Sequence, residues 1–218
     1  MLKRLLSKEG LAIAAGTMLL YTSVYFFERG YCTRLNIPLD YIEISIPTIA
    51  NDVLYCLLFI LPTAVISMAI MITGERNGFK GLYALSSFYC GLVYAIILFF
   101  LMEHTLKSAV MSSFLGGLFF MLLPDKNENK FFGMTGYYLR LIRFSMALFL
   151  LSTTFLIYGN SFAARESFDT YSQNGKKYAL LKAYGENVFM QEIVNGKRAS
   201  GITYFNAHDM TGMTLTGN

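Results

Sequence analysis

The chain has 218 residues, of which 55% are apolar and 15% charged, and its formal net charge is +4. Mean hydropathy is +0.46, and the apolar residues lie in long blocks instead of recurring at helix or strand period. This composition excludes a disordered chain, a collagen-like fibre and a disulfide scaffold, and it points to a membrane protein.

A hydrocarbon core about 30 Å thick takes about 20 apolar residues of helix to cross. Five stretches approach that length, at residues 11–27, 53–73, 82–102, 108–123 and 144–158, and none of them contains Asp, Glu, Lys, Arg or His. The first, fourth and fifth are short, and snorkelling Lys107, Arg140 and Arg143 would let each borrow a turn from its flanks. Lys3, Arg4 and Lys8 precede the first stretch, as in a secretory signal. Its run ends in bulky Tyr25-Phe26-Phe27, however, with no small-residue cleavage site, so it reads as a retained anchor.

Lys and Arg held on the cytoplasmic side orient such a protein. With the amino terminus inside, nine fall on inner segments (Lys3, Arg4, Lys8, Arg76, Lys80, Lys126, Lys130, Arg140 and Arg143). Three fall on outer loops, Arg29, Arg34 and Lys107. The bias places the carboxy-terminal tail outside. It also makes the positive charge a signature of anionic inner-leaflet lipid, and no DNA- or RNA-reading motif accompanies it, so no nucleic-acid partner is expected.

Between the first two stretches, Ile42, Ile44 and Ile46 alternate with Glu43 and Ser45, the period of a half-buried strand, and Pro38 and Pro47 bracket them. Beyond Tyr158 the composition turns polar. Residues 159–175 read as a connector, and three strand-like runs follow at 178–184, 188–194 and 198–205. Gly185-Glu186-Asn187 and Asn195-Gly196 separate them, and Asn-Gly suits the positive φ of a type I′ turn. So small a meander buries little alone. The 41–46 segment is therefore expected to pack against it, as an added strand, in one cap on the outer face.

The expected fold class is a membrane all-α bundle of five transmembrane helices with a small, extracytoplasmic C-terminal antiparallel β-meander. Its parts are a transmembrane domain at 1–158, a connector at 159–175, a β domain at 176–206 and a flexible tail at 207–218. Gly30-Tyr31, residues 35–38, Tyr41-Ile42 and the strand at 178–184 resemble small multi-pass bacterial inner-membrane proteins of unassigned activity. That resemblance implies no chemistry.

Candidate sites are sparse. Glu103-His104 sits in a tight outer turn, where His104 could exchange a proton near neutral pH, although one His without a positioned nucleophile carries little. Glu28, Asp40, Glu43, Asp52 and Glu103 form an acidic outer set with no calcium-loop spacing, and a solvated polar rim is the default for Glu28, Asp40, Asp52, Glu103 and His104. Cys32, Cys56 and Cys90 lack metal-type spacing; they read as free thiols, with a Cys32–Cys56 bridge conceivable. No metal and no cofactor is expected. Pairs of small residues four apart, among them Ser87 with Gly91, Ser112 with Gly116, Ser113 with Gly117 and Ala12 with Gly16, suit close helix packing, within the chain or in a homo-oligomer.

With no ionisable group in the predicted spans, a pump is disfavoured. The leading expectation is a non-enzymatic protein of the bacterial inner membrane, amino end in the cytoplasm. It would bind a membrane or periplasmic protein in the manner of an immunity or exclusion protein, through Tyr41, Glu43, Tyr184, Phe189 and Tyr204 of the cap. A small pore or transport accessory, with Pro62 and the hydroxyl-bearing helices lining a path, is the alternative. A membrane enzyme using His104 and Glu103 is the third.

Overall fold

The computed structural model describes residues 2–76, 86–102, 104–122 and 136–217. Among them are five α-helices, α1 (Leu2–Leu35), α2 (Ile46–Arg76), α3 (Ser86–Leu101), α4 (Leu106–Leu122) and α5 (Gly136–Arg165). Five strands follow: β1 (Thr170–Gln173), β2 (Lys176–Tyr184), β3 (Asn187–Val194), β4 (Lys197–Asn206) and β5 (Thr214–Gly217). The inner-segment Lys80, Lys126 and Lys130 and the outer-turn Glu103 lie outside the described residues.

This is not the expected bundle of five membrane spans under a three-stranded cap. Among the described residues, one helical segment is long and apolar enough to cross a membrane, Leu141–Arg165 in α5. Among the described residues the third and fourth predicted spans contribute helices of 16 and 17 residues, α3 and α4, against a length of about 20 that crosses a bilayer. Helix α1, by contrast, runs two turns beyond the predicted end at Phe27. It stops at Asn36, which takes φ 59°, and the Ile37 amide donates to the Cys32 carbonyl at 2.9 Å. That is the left-handed stop common at helix ends, where Asn is tolerated.

The alternating isoleucines do not form a strand. Pro38 leads into a 3₁₀ turn at Leu39–Tyr41, and Ser45 caps α2, its hydroxyl accepting the Thr48 amide at 3.3 Å. Ile46 is thereby the first residue of a helix. The expected contact holds nonetheless: the Tyr41 ring lies 5.2 Å from Phe189 and 5.9 Å from Tyr204, centre to centre.

Two glycine contacts set the helix packing. Gly30 of α1 faces Leu156 of α5, and Gly159 faces Phe27, so closely that a methyl group on either glycine would overlap the opposing carbonyl. Phe27 then stacks edge-on against Tyr158 at 5.6 Å, and Tyr31 meets Phe162 at 6.5 Å. Gly91 and Gly116 make a second close seam between α3 and α4, so that part of the small-residue pattern is used within the chain; Gly16 and Gly117 face open space.

The sheet is antiparallel, in the order β4-β3-β2-β1-β5. Asn174-Gly175 and Asn195-Gly196 take positive φ as type I′ turns require. The meander was legible, but the connector supplies β1 and the tail supplies β5, which pairs with β1. The tail is therefore not frayed: a 3₁₀ turn at Ala207–Met210, closed by a reciprocal Asn206–Asp209 cap, leads into that strand. One sheet face (Tyr178, Val188, Met190) is covered by Met210 and Met213. The other face, with Leu181, Tyr184 and Phe189, sits on Tyr31, Cys32, Leu35, Ile37 and Ala163 at the ends of α1 and α5. Register slips between Leu180 and Lys182. The extra residue is a β-bulge, which turns both Leu181 and Lys182 toward the helices.

Candidate functional site

The ends of α1, α2 and α5 meet the sheet around a buried polar cluster. On α1, Val24, Phe27, Glu28, Tyr31, Cys32 and Leu35 share one buried stripe. Glu28 is therefore 0% exposed, although every other member of the stripe is apolar or only weakly polar. A buried carboxylate requires a counter-charge and hydrogen bonds. The bulge of β2 supplies both: Lys182 Nζ donates to Glu28 Oε1 at 2.6 Å, and the Tyr184 hydroxyl donates to Oε2. The same ammonium lies 4.8 Å from the centre of the Tyr31 ring, a geometry that attracts a cation to the π face.

Hydrogen bonding extends outward from this pair. Cys32 Sγ lies 3.1 Å from the Tyr184 hydroxyl, whose own proton goes to Glu28, so the thiol is the donor. The Tyr31 hydroxyl donates to the Leu181 carbonyl at 2.9 Å. Burial, reinforced by the Glu28 charge, raises the Tyr184 phenol far above its ordinary range. Burial likewise pushes the Cys32 thiol up to about 11. Cys32 is thus a free, protonated thiol, inert as a nucleophile, and it forms no bridge to Cys56, whose side chain lies outside the described residues.

Asp52, in the second turn of α2, is the unusual member. It is 2% exposed, and its Oδ2 has no hydrogen-bond partner among the described residues. Burial above all, then the neighbouring Glu28 charge and a side-chain hydrogen bond between the Asp52 carboxyl and Glu28, push its carboxyl up to about 8, against the pull of Lys182. The folded chain therefore holds a proton that the unfolded chain releases near pH ~4. Stability contributed by that proton is present at acid pH and is lost as pH rises from ~4 through the folded value. Raising the pH from mildly acidic to mildly alkaline should lower the thermal midpoint, and Asp52→Asn, which cannot ionise, should flatten that slope. Unfolding curves of both chains across the window check this; parallel slopes would refute it.

Beside Asp52 opens a pit of about 160 Å³. Asp52, Phe27, Tyr31, Phe162 and Leu181 line it with Lys182, and Asn51 and Glu166, both exposed, also border it.

The residues expected on an exposed rim divide. Asp40 and His104 are exposed, His104 with its ring 5.2 Å from Phe99, whereas Glu28 and Asp52 are the most deeply buried acids described. The rim reading is corrected for these two: α1 continues past Phe27, and the sheet closes over both. Of the expected contact residues, Tyr184 and Phe189 are core, while Tyr41 and Tyr204 are 41% and 50% exposed. Glu43, also exposed, brings its carboxylate against Gly185. Lys182, Tyr31 and Glu166 have no place among the expected sites, and Cys32 enters the expectations only as a thiol. The apolar stripe through Glu28 at helical spacing was the available signal for Tyr31 and Cys32.

Comparison with protein-family models, with curated proteins and with solved structures finds no match to this chain.

Proposed function

We propose that the chain is a non-enzymatic, membrane-anchored protein whose sheet end binds a membrane or periplasmic protein. The observation that carries this reading is the aromatic pair Tyr41 and Tyr204, half exposed and packed on the buried ring of Phe189, with Tyr204 on edge strand β4. Rigid, partly exposed tyrosines over a packed base are the residue type that dominates protein contacts. An edge strand adds unpaired backbone groups that accept a strand from another chain. Membrane attachment is supported by the apolar segment Leu141–Arg165 and by exposed Phe100, Val110, Phe114, Phe144 and Phe149 on α3 to α5. Large apolar side chains left exposed on three helices suit contact with lipid. Placement in the inner membrane with the sheet outside and an immunity or exclusion role are part of the same proposal, and the role rests on the small aromatic contact surface of the sheet end.

A photo-crosslinking residue at position 204, in native membranes, tests it. A discrete protein adduct is expected, reduced by Tyr41→Ala and missing when the probe sits at Lys176, an exposed position on β2. Adducts with lipid or with the chain itself, or equal yields at both positions, would remove the reading.

A further inference from the structure

The buried cluster is short of positive charge. Among the described residues, buried Glu28 and Asp52 and the exposed Glu166 at the border of the pit have one ammonium beside them, that of Lys182, and Lys182 is committed to Glu28. Asp52 thus presents an unpartnered oxygen, 98% removed from solvent, to a pit whose border carries a second carboxylate, Glu166, and the Asn51 amide. The open Oδ2 can accept a hydrogen bond, and ionised in place the Asp52 carboxylate is costly unless its donor also carries positive charge.

We propose that this pit binds a small organic ammonium ion, its N–H groups shared between Asp52 and Glu166. Its size favours this class over a bare metal ion. At about 160 Å³ the pit is far larger than one ion fills. Among the described residues no three His, Cys, Asp or Glu side chains converge as a metal set. A primary ammonium has three donors, which match the Asp52 and Glu166 carboxylates and the Asn51 carbonyl oxygen. The rings of Phe27 and Phe162 give its carbon atoms an apolar wall. Burial and the Glu28 charge hold the Asp52 carboxyl protonated in the empty pit; an entering ammonium supplies the charge that favours its ionised form.

The test is isothermal titration of the full chain in mild detergent, at mildly alkaline pH and constant ionic strength, with ethylammonium chloride. Saturable binding is expected, weakened about tenfold by Asp52→Asn, as loss of one charge-assisted contact implies. Tetramethylammonium, which has no N–H, should bind at least as weakly to the parent chain as ethylammonium does to the variant. Should Asp52→Asn fail to fold, Glu166→Gln at the exposed border carries the same expectation. Absence of saturation, unchanged affinity in the folded variants, or equal binding of sodium or tetramethylammonium would each overturn the proposal.

Discussion

Lys182→Met should lower the stability of the detergent-solubilised chain by about 3 kcal/mol, read as a fall in the thermal midpoint of about 6–12 °C. The substitution keeps the volume and the apolar stem, so the loss reports charge and not packing. It leaves Glu28, 0% exposed, with the Tyr184 hydroxyl as its donor and no counter-ion. Removing one member of a buried pair is far more costly than removing both. The double variant Lys182→Met, Glu28→Gln should therefore recover most of the loss, because a neutral amide still accepts from Tyr184. Melting curves of the two single variants and the double variant yield the coupling directly. A single Lys182→Met variant as stable as the parent would show that the ion pair contributes nothing to holding the sheet on α1.

Gly159→Ala should be destabilising by about 3 kcal/mol, the upper part of the range for overpacked interiors. The obstacle is backbone: the added methyl would overlap the Phe27 carbonyl, and neither helix can yield without moving the Phe27–Tyr158 and Tyr31–Phe162 contacts. Gly117→Ala makes the internal control. Its new methyl meets nothing within 4 Å, so the higher helix propensity of alanine should appear as a gain of up to about 1 kcal/mol. Opposite signs at two helical glycines separate close approach from propensity. Equal and small effects would mean that the α1–α5 contact is looser than its geometry implies.

Strands β2, β3 and β4 were readable because an Asn-Gly pair and alternating apolar residues mark both ends and both faces of the hairpin. β1 and β5 were not. Thr170–Gln173 and Thr214–Gly217 are short and polar, and they gain strand geometry from pairing with each other, which is a tertiary effect. The Asn174-Gly175 turn was in plain view, but without an apolar run before it the pair read as a break. Along the helices, apolar windows located the α3 and α4 segments, of which 16 and 17 residues are described as helix. Glu28 and Asp52 were noticed as acids but placed in solvent, since both stand at the margins of apolar blocks. Their burial depends on α1 extending to Leu35 and on Ser45 starting α2 where a strand was expected. Lys182 was hidden by the bulge: alternation puts it on one face with Tyr178 and Tyr184, but no local pattern announces that Leu181 will join it against the helices.

That extra residue in β2 also makes the strand intolerant of a change in length. Were Leu181 deleted, regular pairing with β3 would resume. Leu180 would stay opposite Met190 and Lys182 opposite Phe189, so Lys182 and Tyr184 would still face Glu28, but the sheet would lose the Leu181 side chain from the core on α1 and the carbonyl that accepts the Tyr31 hydroxyl. Divergent copies of this protein should thus keep Leu181, Lys182 and Tyr184, whose side chains meet the helices, and carry insertions and deletions in the turns of β2 and not between residues 180 and 182.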